Sequence, residues 1–207
     1  MAYNHLKALQ LWKDFQQKYA GQITPDILKA GEFAIVAHKG QVRKNEDIPY
    51  VKHLFDVAGI LIDNGQSENL VIAGLLHDVM EDTDKTDKDI LALFSPLQGE
   101  AILKIILADT ETDIGAPWLV RKQTTIDFAA QTDHTEGLLL ICADKIANLG
   151  SLCKALEETG ESTWNCFNSS KEQQLWYYET LCEILSKRLF GFSKMTSEYK
   201  RLLEKVK

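Results

Sequence analysis

Apolar residues recur along this 207-residue chain at helical spacing, and no run alternates as a half-buried strand would. Leu6, Leu9, Leu11, Trp12, Phe15 and Tyr19 set the pattern over residues 2–19. Thr24-Pro25-Asp26 reads as an N-cap, a proline at the first helical position and an acid in the first turn, opening a helix to about Lys39. Residues 40–50 are polar, include Pro49 and read as a loop. A helix over 51–63 ends at Asn64-Gly65, and Ser67 caps the next, from Leu70 to about Met80. Thr86 with Asp89 three residues on resembles a capping box, and Ser95-Pro96 starts a further helix. Residues 117–131, 136–157, 170–190 and 194–206 complete the series. With only 4 Pro and 12 Gly, little interrupts these helices, and no repeat or low-complexity linker divides them. The expectation is an all-α single domain over residues 1–207.

Composition narrows the function. A chain with 45% hydrophobic and 26% charged residues is an ordinary globular protein. Its net charge of −7 argues against long nucleic acids, which need a basic footprint, but leaves room for a small anionic ligand in a locally basic pocket. No apolar run approaches the ~18–20 residues of a membrane span. The N-terminus lacks a basic segment followed by an apolar one, so no signal peptide is expected. Cys142, Cys153, Cys166 and Cys182 show neither zinc-finger nor redox spacing and read as reduced, mostly buried residues of a cytoplasmic protein.

The chemistry concentrates in Leu75-Leu76-His77-Asp78-Val79-Met80-Glu81-Asp82-Thr83. On a continuous helix at about 100° per residue, His77, Asp78, Glu81 and Asp82 fall within an arc of about 140°. Clustered carboxylates repel unless a proton or cation compensates them, and imidazole with carboxylate suits a divalent transition metal. The alternative is an acidic helix end in water. Asp144 follows the uncharged run Leu138 to Ala143, so its carboxylate needs a partner if buried, and Asn148 lies one turn on along the same face. His53 stands on the apolar helix that follows Pro49-Tyr50. Trp176-Tyr177-Tyr178 reads mainly as core packing.

These segments together resemble the HD-domain metal-dependent phosphohydrolases, and specifically the hydrolase domain of RelA/SpoT alarmone enzymes and the small alarmone hydrolases. The matching stretches are Ala37-His38-Lys39-Gly40-Gln41-Val42-Arg43-Lys44, Pro49-Tyr50-Val51-Lys52-His53, Gly74 to Asp84, and Ala143-Asp144-Lys145-Ile146-Ala147-Asn148-Leu149. They cover about residues 30–155, with helical extensions on both sides. The resemblance implies an HD-type bundle of about ten helices. It also implies one divalent metal, usually manganese, held by His53, His77, Asp78 and Asp144. Glu81 and Asp82 match the acidic pair that positions and activates water and handles the leaving group. Arg43, Lys44 and Asn148 match nucleotide-binding residues. Lys145, beside Asp144, and the Arg121-Lys122 pair are candidate phosphate contacts, the alternative being a solvated helix face. His38 matches the pattern without a ligand role.

The implied activity is hydrolysis of the 3′-pyrophosphate of ppGpp or pppGpp, the alarmone of the stringent response. A metal acting as Lewis acid with a carboxylate managing protons fits that chemistry. The alternatives are another phosphorylated nucleotide as substrate, or a non-catalytic HD-fold module binding a nucleotide or protein partner. A homo-oligomer is compatible with either. Two positions and one segment depart from the family: Leu54 stands where proline is typical, Gly150 replaces a basic residue, and Leu107-Ala108-Asp109-Thr110-Glu111 lacks the usual Val-Thr-Asp or Val-Thr-Lys.

Overall fold

The computed structural model describes residues 2–43, 48–111 and 115–207. Among these residues the fold is all-α, and extended pairing is confined to an isolated bridge between Val42 and Pro49. The chain forms two compact units, Met1–Thr110 and Glu111–Lys207.

The first unit contains α1 (Ala2–Lys18), α2 (Pro25–Ala37), α3 (Val51–Asp63), α4 (Glu68–Leu76), α5 (Val79–Asp82), α6 (Asp87–Leu91) and α7 (Pro96–Ile106). Its helix starts follow the local chemistry. Thr24 accepts from the Ile27 N–H at 3.2 Å, Ser67 accepts from the Leu70 N–H at 3.3 Å, and Thr86 forms its box with Asp89, whose carboxylate accepts from the Thr86 N–H at 2.8 Å. Helix α4 is apolar on every face, and Leu70 to Leu76 are all buried. It packs against α2, α3 and α7 as the axis of this unit. Trp12 and Phe15 of α1 lie against Phe55 of α3, with ring centroids 5.2 and 5.6 Å apart.

One expected helix is broken. The segment read as continuous from Leu70 to Met80 stops at Leu76, turns at His77-Asp78, and resumes as the short α5. The His77 imidazole donates to the Gly74 carbonyl at 3.0 Å, the acceptor that a continuing helix would offer to the Asp78 N–H. Asp78 accordingly adopts φ −90° and ψ −3°.

The second unit contains α8 (Trp118–Gln131), α9 (Thr135–Thr159), a 3₁₀ segment (Gly160–Cys166), α10 (Lys171–Arg188), a short 3₁₀ turn (Phe190–Phe192) and α11 (Ser193–Val206). The 25-residue α9 is its axis, buried continuously from Gly137 to Ala147. Helix α11 lays Met195, Tyr199, Leu202, Leu203 and Val206 against it, and α10 pairs with α8. Of the Trp176-Tyr177-Tyr178 run read as core, Tyr177 and Tyr178 are buried and Trp176 is half-buried, and the Tyr199 hydroxyl donates to the Tyr178 carbonyl at 3.1 Å. All four cysteines are free thiols, with Cys142, Cys153 and Cys182 buried.

Close packing makes two glycines respond oppositely to one methyl group. A Cβ on Gly31 would sit 2.3 Å from Trp12 Cη2, and Trp12 is boxed in by Phe15 and Phe55. A Cβ on Gly150, inside α9, meets nothing within 4 Å. Gly31→Ala should therefore cost about 1–3 kcal/mol by overpacking. Gly150→Ala should gain roughly 0.5–1 kcal/mol from helix propensity. Urea unfolding midpoints of the two variants measure both signs.

Candidate active site

The polar end of the first unit is built where three elements meet: the start of α3, the turn at His77-Asp78, and the loop that follows α2. His53 and His77 are each only 3% exposed, and their rings meet edge to face with centroids 5.2 Å apart. Asp78 presents one carboxylate oxygen to both: Oδ2 lies 3.1 Å from His77 Nε2 and 3.6 Å from His53 Nε2. The same oxygen accepts the Tyr50 hydroxyl at 2.7 Å.

The tautomer of His77 follows from its partner. A carbonyl can only accept, so the nitrogen facing the Gly74 carbonyl carries the hydrogen, and in the neutral ring Nε2 is a bare lone pair. That lone pair faces a carboxylate oxygen. Two acceptors at 3.1 Å repel unless a proton or a cation lies between them. Two imidazole nitrogens and a shared carboxylate are a donor set suited to a first-row divalent metal, and at His77 the carbonyl bond supplies the outer support such ligands use.

Tyr50 is held in its neutral form: burial pushes its phenol well above the ordinary range, and the charges of Asp78 and Asp82 add to this. Asp82 reaches solvent, yet desolvation by the groups packed beside it, followed by repulsion from Asp78, raises its carboxyl above the ordinary 3.8. An acid shifted upward is suited to holding or releasing a proton near neutrality. Glu81 is half-buried on α5. His38, 2% exposed, has its pKa lowered by burial, against the hydrogen bond to Gln41 and the charges of Asp78 and Asp82.

The loop expected over residues 40–50 is closed at its base by Arg43 N–H donating to the Ile48 carbonyl at 3.1 Å and Tyr50 N–H donating to the Gln41 carbonyl at 3.0 Å. Arg43 stands at that base, half-buried, and Lys44 lies outside the described residues.

In the second unit, α9 carries the other expected residues. Asp144 is buried and accepts from Asn148 Nδ2 at 2.8 Å, the one-turn pair anticipated from spacing. Its neighbour Lys145, also buried, donates to the second carboxylate oxygen. Arg121 and Lys122 lie near the start of α8, where both contact Glu111: Arg121 Nη1 pairs with Oε2, and Lys122 Nζ with Oε1 at 2.5 Å. Lys122 and Lys145 also approach the Tyr177 ring, at 5.0 and 5.9 Å from its centroid. The sequence reading missed Glu111, Tyr50 and Gln41. All three stood in the sequence only as members of longer stretches, with nothing to mark their contacts. Leu54, the departure from proline, is fully buried core.

Glu111 yields a pH prediction. Burial alone would raise its carboxyl, but the Lys122 hydrogen bond and the charges of Lys122 and Arg121 bring it below the ordinary 4.5. Because the folded value is depressed, the stabilisation is complete above the unfolded value and is lost as pH falls through the folded one. Wild type should unfold more readily on acidification from about pH 6 to about pH 3, and its advantage over Glu111→Gln should shrink across that window. Thermal midpoints of both proteins against pH measure it.

Comparison with known proteins supplies the family. The HD domain model matches residues 30–162, a stretch that carries His38, His53, His77, Asp78 and Asp144. The Danio rerio guanosine-3′,5′-bis(diphosphate) 3′-pyrophosphohydrolase MESH1 is 31% identical over 138 residues, which cover 65% of this chain and 73% of that protein. The Homo sapiens MESH1 is 31% identical over 141 residues, 67% of this chain and 75% of its own. A solved Listeria monocytogenes EGD-e protein aligns at 34% identity with a TM-score of 0.63, over 73% of this chain and 96% of that one. A metazoan ortholog of SpoT that hydrolyzes ppGpp shares the fold at 24% identity and a TM-score of 0.70, over 89% of this chain and 97% of its own. A paired His77-Asp78 turn beside His53, inside a family match that spans more than half of the sequence, identifies this chain as a member of the HD-domain family.

Proposed function

We propose that this HD-domain hydrolase is a metal-dependent guanosine-3′,5′-bis(diphosphate) 3′-pyrophosphohydrolase that releases pyrophosphate from ppGpp and pppGpp. The observation that carries the reading is the apposition of His77 Nε2 and Asp78 Oδ2 at 3.1 Å, two acceptors that require a cation or a proton, in a chain 31% identical to MESH1 hydrolases. The reading assigns His53, His77, Asp78 and Asp144 as ligands and manganese as the ion. It treats residues 1–207 as one HD-type hydrolase domain in the cytoplasm. None of the described helices is long and apolar enough to cross a membrane, and the free thiols accord with a reducing compartment.

The bound cation supplies Lewis acidity toward phosphate oxygens and a nucleophile at neutral pH. The chain's own residues do the rest. Water adds to the phosphorus attached to the 3′ oxygen, the bond from phosphorus to that oxygen breaks, and the 3′ oxygen leaves as a hydroxyl. Glu81 and Asp82 orient the water, take its proton and return one to the leaving oxygen, a task for which the raised Asp82 carboxyl is suited. Arg43, Lys44 and Asn148 hold the nucleotide, and Lys145 its phosphates. Arg121 and Lys122 join by exchanging Glu111 for phosphate oxygens, Arg121 through its planar fork and Lys122 as a point charge. Gly150, where the family commonly has a basic residue, favours a second reading in which another phosphorylated nucleotide is the substrate.

The test is a product assay on manganese-loaded protein with ppGpp, NADPH, and nucleoside mono- and triphosphates. Pyrophosphate should appear from ppGpp. His77→Ala should lose both bound metal, measured by elemental analysis, and turnover. Asp82→Asn should keep the metal and lose turnover. Pyrophosphate release unchanged in a Glu81→Gln, Asp82→Asn double variant would reject the acid pair.

A further inference from the structure

His38 matches the family sequence yet has no place among the ligands or acids, and its surroundings give it one. It ends α2 at 2% exposure, with its ring stacked on Tyr50 at a centroid distance of 5.0 Å and an interplanar angle of 16°. Its Nδ1 lies 2.7 Å from Gln41 Oε1. The other end of Gln41, Nε2, donates to the Asp82 backbone carbonyl at 2.5 Å. These contacts orient one another. A carbonyl accepts, so the Gln41 nitrogen must face Asp82 and its oxygen must face His38. That oxygen only accepts, so His38 Nδ1 carries the hydrogen. The second nitrogen, Nε2, is buried and has no hydrogen-bond partner among the described residues.

We infer that His38 is a positioning residue for the acidic turn, acting through Gln41 on the Asp82 backbone and through Tyr50 on Asp78. The brace spans 41 residues of sequence, from Gln41 to Asp82, and fixes the end of a helix only four residues long. So short a helix cannot hold itself on its local bonds alone, which are the Asp82 N–H on the Asp78 carbonyl at 2.9 Å and the Thr83 hydroxyl on the Val79 carbonyl at 2.6 Å. Without the strut from Gln41, the turn carrying Glu81 and Asp82 loses the outside anchor on its backbone and keeps the Tyr50 hydroxyl on its side chains. The stacked Tyr50 ring holds its hydroxyl on Asp78 Oδ2, so a single buried imidazole sets both the carboxylate beside the histidines and the acid one turn later. The catalytic role this positioning serves rests on the hydrolase reading; the brace itself does not.

Three variants separate the arms. His38→Phe keeps a flat ring for Tyr50 but removes the donor to Gln41. His38→Asn places an amide N–H near the position of Nδ1 and keeps that donor. Gln41→Ala cuts the strut at a half-buried residue and leaves His38 in place. The first reading is hydrogen exchange of the amides from Val79 to Thr83, which needs no substrate or metal. Exchange should quicken there in Gln41→Ala and His38→Phe, with the urea midpoint of Gln41→Ala unchanged, and return toward wild type in His38→Asn.

The second reading is turnover of ppGpp, or of bis(p-nitrophenyl) phosphate if wild type leaves ppGpp intact. Here kcat should fall by about 10- to 100-fold in Gln41→Ala and His38→Phe, with KM and bound manganese little changed. The double variant should be no worse than either single one, because both cut the same strut. Wild type inactive on ppGpp overturns the substrate assignment alone. Unchanged exchange at Val79–Thr83 in Gln41→Ala, or losses that add in the double variant, overturns the brace.

Discussion

The hydrogen bond from His77 Nδ1 to the Gly74 carbonyl is the contact on which the polar end of the first unit depends. It takes the carbonyl that would extend α4, so the helix ends inside the core rather than at the surface. It also fixes which ring nitrogen is bare. Helix α4 is apolar on every side and has to be enclosed by its neighbours, so a histidine at its C-terminus is carried into the interior with it. A buried bare nitrogen facing a carboxylate is electrostatically unfavourable by itself. The surrounding residues accept that cost by supplying support from outside: Tyr50 to the carboxylate, His53 beside the ring, and the Gln41 strut to the turn beyond. Sites that violate local rules and are compensated by their neighbours are where function is expected.

What the sequence made legible follows how local each signal is. The starts of α2, α4, α6 and α7 were readable because caps and prolines act within three or four residues. The pairing of Asn148 with Asp144 was readable for the same reason, since one helical turn separates them. The break at His77-Asp78 was not, because the apolar run from Leu70 to Leu76 resumes at Val79-Met80 with the spacing of an uninterrupted helix. The interruption comes from a side chain competing for one carbonyl, which periodicity does not register. Likewise Glu111 lies ten and eleven residues from the two cations it holds, and Gln41 lies 41 residues from the carbonyl it supports. Such contacts depend on packing and leave no spacing to read. The ligand set proposed for a metal came from family resemblance; the residues themselves pointed only to the acidic arc His77, Asp78, Glu81 and Asp82 and to a carboxylate at Asp144 in need of a partner.

The net charge of −7 conceals a local arrangement that bears on how a phosphorylated ligand would bind. In the second unit the cations assigned to phosphate each hold a carboxylate: Lys145 is paired with Asp144, and Arg121 and Lys122 with Glu111. Lys145 is buried and Arg121 and Lys122 are half-buried, and charges so withdrawn from water need partners. Under the hydrolase reading, binding is then an exchange of partners. Asp144 would serve as a ligand only by giving up its Lys145 partner, and the ammonium so freed would be available to phosphate. Metal and phosphate would each favour the other's binding through that one lysine, because the attraction lost at Asp144 is regained on the substrate. The acidic balance of the chain is therefore compatible with an anionic substrate: under that reading Glu111 and Asp144 would hold the cations until phosphate oxygens replaced them.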